Sequence, residues 1–256
     1  MLPSLFVAEL HDGLTDLSQC LISAWNKTCE SYRESCTSLD SCTAQYNPRE
    51  GIILADNGSK NLVSGTTASV VAVDCRSDVI TILNCGDSRT IIFTDAPMNS
   101  FTNFNLPSNV HFASRDHKPS DEYEIRRLRE GKDRGMDFSQ PECSLSRYWL
   151  TVGDYQYAVS RSLEGTLATS KGIISDADMT TLNLSLMVPD GTKKGAIAIG
   201  SDGLFDVMSN QEVAQQVMKM MKSGTQADDA AKELYHIALR KGSTDNISII
   251  LIYFSI

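Results

Sequence analysis

The sequence predicts a single domain in which helices are layered on antiparallel strands, and three observations carry that reading. Its 256 residues, 41% of them hydrophobic, suffice for one sizeable core. Apolar residues fall at helical spacing between Leu10 and Tyr32 and again after Ser209. Short runs rich in β-branched residues, broken by glycines, lie between Ser64 and Phe93, at Ala196–Ile199 and at Ile247–Phe254. These patterns fit more than one layered arrangement of helix and sheet.

Taken in order, Leu10, Leu14, Leu17, Leu21, Trp25, Cys29 and Tyr32 recur every three or four residues, which places them on one face of a core-packing helix. Gly13 weakens its first turns, so the firm part is predicted to start near Thr15. Arg33 to Lys60 is polar and reads as a loop with one short strand at Gly51–Ala55. From Ser64 to Phe93 three strands with short turns read as an antiparallel meander. Ser120 is the predicted cap of the charged helix DEYEIRRLREG, which is expected to stop at Gly131 and to lie on the surface, with Ile125 and Leu128 turned inward. Ser209-Asn210-Gln211-Glu212 has the form of a capping box before a helix with Val213, Val217 and Met220 on one side.

Composition narrows the function. A formal charge of −9 argues against a nucleic-acid partner, whose phosphates need a basic surface, and suits a protein whose own carboxylates bind cations. There is no apolar run of the roughly 18 residues that a membrane span needs. The apolar opening MLPSLFVAEL has no basic start and reaches Glu9 too soon for a secretory signal. Seven cysteines, at 20, 29, 36, 42, 75, 85 and 143, show no CxxC spacing, so they read as reduced thiols of a cytoplasmic or nuclear protein.

The chemistry sits at strand ends. After the buried strand Ala196–Ile199, Gly200-Ser201-Asp202-Gly203-Leu204-Phe205-Asp206 places two carboxylates four apart on a turn, where they can bind a hard cation. Asp245 precedes the last strand, and in a sandwich that end converges with the end carrying Asp202. Asp87, taken by itself, reads as a turn aspartate. Arg161, just past an apolar run, suits a carboxylate partner or a phosphate. His117 stands in a loop and carries no assigned chemistry.

The ordered series SGTTA (64–68), NCGDSR (84–89), RDHKPSDEYEIRRL (115–128), AVSRSL (158–163), SDGLFDVMSNQE (201–212) and GSTDNIS (242–248) resembles the motifs of the metal-dependent protein serine/threonine phosphatases, the protein phosphatase 2C family. The resemblance implies an α+β fold, an αββα sandwich of two antiparallel sheets flanked by helices, over one domain spanning residues 1–256. It implies hydrolysis of phosphoserine and phosphothreonine by water activated between Mg²⁺ or Mn²⁺ ions. On it, Asp202 and Asp245 match ligands of the first metal, and Asp87 and Asp206, with Asp202 shared, match those of a weaker third one. Arg161 matches a structural arginine, although the continuation Leu163-Glu164-Gly165 departs from the family pattern.

The family's Asp-Gly-His-Gly-Gly motif has no counterpart. His11-Asp12-Gly13 shares two residue types with it but lies within or against the first helix. The fold is therefore expected to be N-terminally incomplete, with the metals held weakly or in part and the chain poorly active alone. The expected partner is a phosphoprotein substrate. The alternatives are a catalytically inactive pseudophosphatase serving as a binding or regulatory module for a protein partner, and a structural domain that binds a cation through Asp87, Asp202 and Asp206 without catalysis.

Overall fold

The computed structural model describes residues 1–11, 16–37, 44–47, 52–55, 65–95, 109–133, 142–144, 147–152, 155–164, 172–187 and 194–255. Its backbone forms two compact units, Met1–Ala68 with Asp116–Met179, and Ser69–Arg115 with Thr180–Ile256.

The first unit begins with α1 (Leu2–His11) and α2 (Leu17–Thr37). The second helix starts two residues after Thr15, close to the start expected for the firm part of the helix, and α1 precedes it. Asp12 and Gly13 lie outside the described residues. Glu9 of α1 pairs with Lys27 of α2. Leu21, Trp25 and Cys29 are buried as their spacing predicts, and the Trp25 indole donates to the Ser175 carbonyl at 2.8 Å. Strands β1 (Ala44–Asn47) and β2 (Ile52–Ala55) form an antiparallel pair, of which only the second was expected.

Helix α3 (Glu122–Asp133) runs past Gly131. Its first amide groups are capped by Asp121, whose Oδ1 accepts from Tyr123 N and Glu124 N at 3.0 and 3.4 Å, so Asp121 takes the place predicted for Ser120. Leu128 is buried, in a small cluster with Leu150 and Ile173. A three-stranded antiparallel sheet, β7 (Glu142–Ser144), β8 (Arg147–Val152) and β9 (Tyr155–Tyr157), completes this unit.

The second unit contains both sheets of the sandwich. One has the order β10 (Asp178–Asn183), β4 (Val79–Cys85), β3 (Ala68–Asp74). The other has the order β12 (Ile249–Ser255), β11 (Lys194–Gly200), β5 (Arg89–Thr94), β6 (Val110–Ala113) and is antiparallel throughout. The meander expected across 64–93 is therefore broken: β3 and β4 share one sheet, and the chain crosses into the other before β5. Both β4 and β5 are buried along nearly their whole length, so each needs cover on both faces, and a meander with one wet face does not supply it.

Alternation sorts the strand residues between two layers. Ile80, Ile82, Ile92 and Ile197 pack between the sheets, with Leu182, Ile252 and Phe254 against them. Ile91, Phe93, Ala196 and Ala198 point the other way, onto α6 (Asn210–Lys222) and α7 (Ala227–Arg240) through Val213, Val217, Leu234 and Ala238. Two single-turn helices, α4 (Leu184–Met187) and α5 (Asp202–Phe205), follow β10 and β11. The result is the α+β sandwich of two antiparallel sheets that the motif series implies.

Candidate functional site

Register brings the acidic segments to one end of the four-stranded sheet. Gly200, the last residue of β11, faces Arg89, the first of β5, on one side and Ile249, the first of β12, on the other. Asp87 lies two residues before Arg89, Asp202 two after Gly200 and Asp245 four before Ile249. All three chain segments leave or enter the sheet at the same edge.

The Asp202 and Asp245 segments are stitched together by serines. Ser201 N donates to Ser248 O at 3.0 Å, and Ser248 N donates back to Ser201 Oγ at 3.0 Å. Ser201 Oγ also donates to Asn246 O at 3.2 Å, and Ser243 Oγ to Gly203 O at 2.7 Å. The backbones approach so closely that a Cβ on Gly203 would lie 2.5 Å from Asn246 O. Only glycine fits between the two aspartates of the turn, which explains the residue type in the SDGLFD sequence.

The four carboxylates sit differently within this frame. Asp87 is 6% exposed, in the β4–β5 turn, which Asn84 braces by donating to Gly86 O at 3.2 Å and Arg115 O at 3.0 Å. Asp202 is half-buried, and its Oδ1 accepts from Gly203 N at 2.8 Å. Asp206 is exposed and caps the C-terminus of α5, its N–H donating to Asp202 O at 2.8 Å. Asp245 is exposed, with Oδ1 accepting from Asn246 N at 2.7 Å.

Carboxylate oxygens are the donors that Mg²⁺ and Mn²⁺ take, so the donor chemistry suits a hard cation. The number does not suit a complete centre: among the described residues no group of three or more His, Cys, Asp or Glu side chains is arranged to hold a metal ion.

Arg161 lies elsewhere, in the first unit, and its partners are carboxylates. It donates through Nε and Nη2 to Glu124 Oε1 at 2.9 and 2.6 Å, and through Nη1 to Asp178 Oδ1 at 3.0 Å. Arg127 and the Ser160 hydroxyl occupy Glu124 Oε2, at 2.9 and 2.7 Å. Burial pushes the Glu124 carboxyl up, but the Arg161 hydrogen bond, the Arg127 charge and Ser160 more than offset it, and it lies below its ordinary 4.5. His117, fully buried, sits with Nε2 3.1 Å from Asp178 Oδ2. At the departure from the family pattern, Leu163 exchanges backbone hydrogen bonds with Thr66 at 2.9 and 3.0 Å, and Glu164 accepts from Ser162 Oγ at 2.8 Å.

Sequence reasoning passed over Glu124, which was counted with the charged surface of α3 and is fully buried. It also gave no role to Arg89 or Asn210, whose side chains meet at 2.8 Å. The available signal was an arginine opening a strand with the apolar centre Ile91-Ile92-Phe93, a position that needs a partner.

Known proteins resemble this chain in sequence and in fold. A model described as Protein phosphatase 2C matches residues 12–247. Human "Protein phosphatase 1B" is 26% identical over 193 residues, covering 75% of this chain and 35% of that protein. "Probable protein phosphatase 2C 6" of Oryza sativa subsp. japonica is 31% identical over 207 residues, covering 73% of this chain and 38% of that protein. The chain thus spans well under half the length of these two relatives. Among solved structures, a C. elegans sex determining protein aligns over 98% of this chain and 50% of its own, with TM-score 0.67 and 14% identity. A serine-threonine phosphatase 2C from Toxoplasma gondii aligns over 93% of this chain and 67% of its own, with TM-score 0.62 and 18% identity. At these identities the structures speak for the fold alone, whereas the match over residues 12–247 speaks for the family: the chain belongs to the protein phosphatase 2C family.

Proposed function

We propose that these 256 residues carry the Asp202–Asp245 half of a protein serine/threonine phosphatase centre, one that removes phosphate from phosphoserine and phosphothreonine in protein substrates with Mg²⁺ or Mn²⁺. The supporting observation is the serine-stitched junction that lays the Asp202 turn against the Asp245 loop, with Asp87 at the same sheet end. Asp202 and Asp245 serve a first cation, and Asp87 and Asp206, sharing Asp202, a weaker one. A divalent ion held by these carboxylates would supply a water of lowered pKa and offset charge on the phosphoryl group. Two or three carboxylates hold such an ion loosely, so occupancy is partial and the chain by itself hydrolyses poorly. No helix among the described residues is long and apolar enough to cross a membrane, and Cys20, Cys29, Cys75 and Cys85 are not joined in disulfides. From the cysteine pattern of the sequence, seven cysteines without CxxC spacing, we propose a cytoplasmic or nuclear location.

A second reading, a catalytically inactive binding or regulatory module, is favoured by one observation: the 256 residues contain no Asp-Gly-His-Gly-Gly. Hydrolysis of a phosphothreonine peptide by the purified chain in Mn²⁺ separates the readings from full activity. The expected outcome is no appreciable turnover. Robust turnover that Asp202→Asn abolishes would show that other residues complete the centre and would sink the claim of poor activity.

A further inference from the structure

We propose that Arg89 is a positioning residue that fixes the Asp202–Asp206 turn relative to Asp87. The proposal rests on the cation-binding reading of those carboxylates and extends it to a side chain that binds no cation itself. Arg89 opens β5 two residues after Asp87 and faces Gly200 across the sheet. From there its guanidinium lies 4.7 Å above the centre of the Phe205 ring, and Nη1 donates to Asn210 Oδ1 at 2.8 Å. Phe205 is the last residue of α5 and Asn210 the first of α6. Asp206 and the short link behind it are thereby held between two residues that one arginine grips.

The turn is folded tightly enough to use this grip. A Cβ on Gly200 would lie 2.8 Å from Leu204 Cδ2 and 2.9 Å from Phe205 Cε2, so α5 rests directly on the strand end that faces Arg89. Arg89 therefore reaches the α5–α6 link over a short span. Its planar fork does two things at once, stacking by its face and donating by its edge, and a lysine ammonium cannot reproduce both. Arg89→Lys keeps the charge and loses the plane, which isolates positioning from electrostatics.

The test uses the whole chain, wild type, Arg89→Lys and Phe205→Leu, each checked for an intact far-ultraviolet spectrum. Amide hydrogen exchange across 201–210 is expected to speed up about tenfold or more in Arg89→Lys, with β11 and α7 unchanged. Titration calorimetry with Mn²⁺ is expected to show affinity about tenfold weaker in the same variant, and a variant combining Arg89→Lys with Phe205→Leu is expected to bind no more weakly than the weaker of the two single ones. Unchanged exchange across 201–210 overturns the positioning role, whether or not Mn²⁺ binds. If the wild type takes up no Mn²⁺, the cation reading of the carboxylates falls, and the exchange result still decides the role of Arg89.

Discussion

Two arginines converge on the Glu124 carboxylate, which has no solvent of its own and depends on them for its charge. Removing one member of such a group costs more than the group contributes, because the partners stay buried without compensation. Glu124→Gln is therefore expected to destabilise the protein by about 3–5 kcal/mol in urea unfolding, far above a surface substitution. The sign of its pH dependence follows from a folded pKa below the ordinary 4.5: the stabilisation is complete above that value and disappears as pH falls through the lower folded one. Wild type should lose stability over this window more steeply than the glutamine variant. Equal slopes below pH 4.5 would show that Glu124 is not held ionised by its arginines. Arg161 donates here to carboxylates, within the first unit. That outcome was half legible in the sequence, which allowed a carboxylate partner for Arg161 but could not name it. Glu124 lies 37 residues away and carries the same letter as the solvated glutamates around it.

At the scale of elements, local chemistry was the most readable. The capping box is present in full, with the Ser209 hydroxyl accepting from Glu212 N at 3.3 Å and Ser209 N donating to Glu212 Oε2 at 2.9 Å. Lys241 adds a 2.5 Å contact, and with Ser209 it draws the Glu212 carboxyl down to about 2. Ser209→Ala should cost about 1 kcal/mol, read as a shift of the unfolding midpoint, and no shift would mean that α6 starts without its cap. Such signals lie within four residues of one another and survive in sequence. What lay further apart did not: the passage of the chain between sheets at 86–88 depends on neighbours that no local window contains, whereas the Asp121 cap, two and three residues from the amides it meets, was within reach and was expected one residue early. Continuous burial of β4 and β5 was written in their apolar runs, yet the same runs fit one sheet or two. For the carboxylates, the motif order supplied Asp87, Asp202, Asp206 and Asp245, and the register of β5, β11 and β12 supplies the common sheet end. Arg89 escaped notice because its meaning is set by Phe205 and Asn210, more than a hundred residues on.

Over the whole molecule, neither compact unit is a continuous stretch of chain. The division falls inside β3, after Ala68, between Arg115 and Asp116, and inside β10, after Met179, so the backbone passes three times from one unit into the other, twice within a strand. We propose on this ground that 1–256 unfolds as one domain. Scanning calorimetry should give a single transition whose calorimetric and van't Hoff enthalpies agree, and two resolved transitions would refute it. The pairing of β5 with β11 has a consequence in time as well as in space. Lys194 meets Asp95 across 99 residues of intervening chain, while α1 meets α2, and α6 meets α7, across a few. Loop closure over such a span is slow, so helical pairs form early and the central sheet late. The sheet end shared by the Asp87 and Asp202 segments is thus expected to assemble only when β5 and β11 pair, after the local helical contacts.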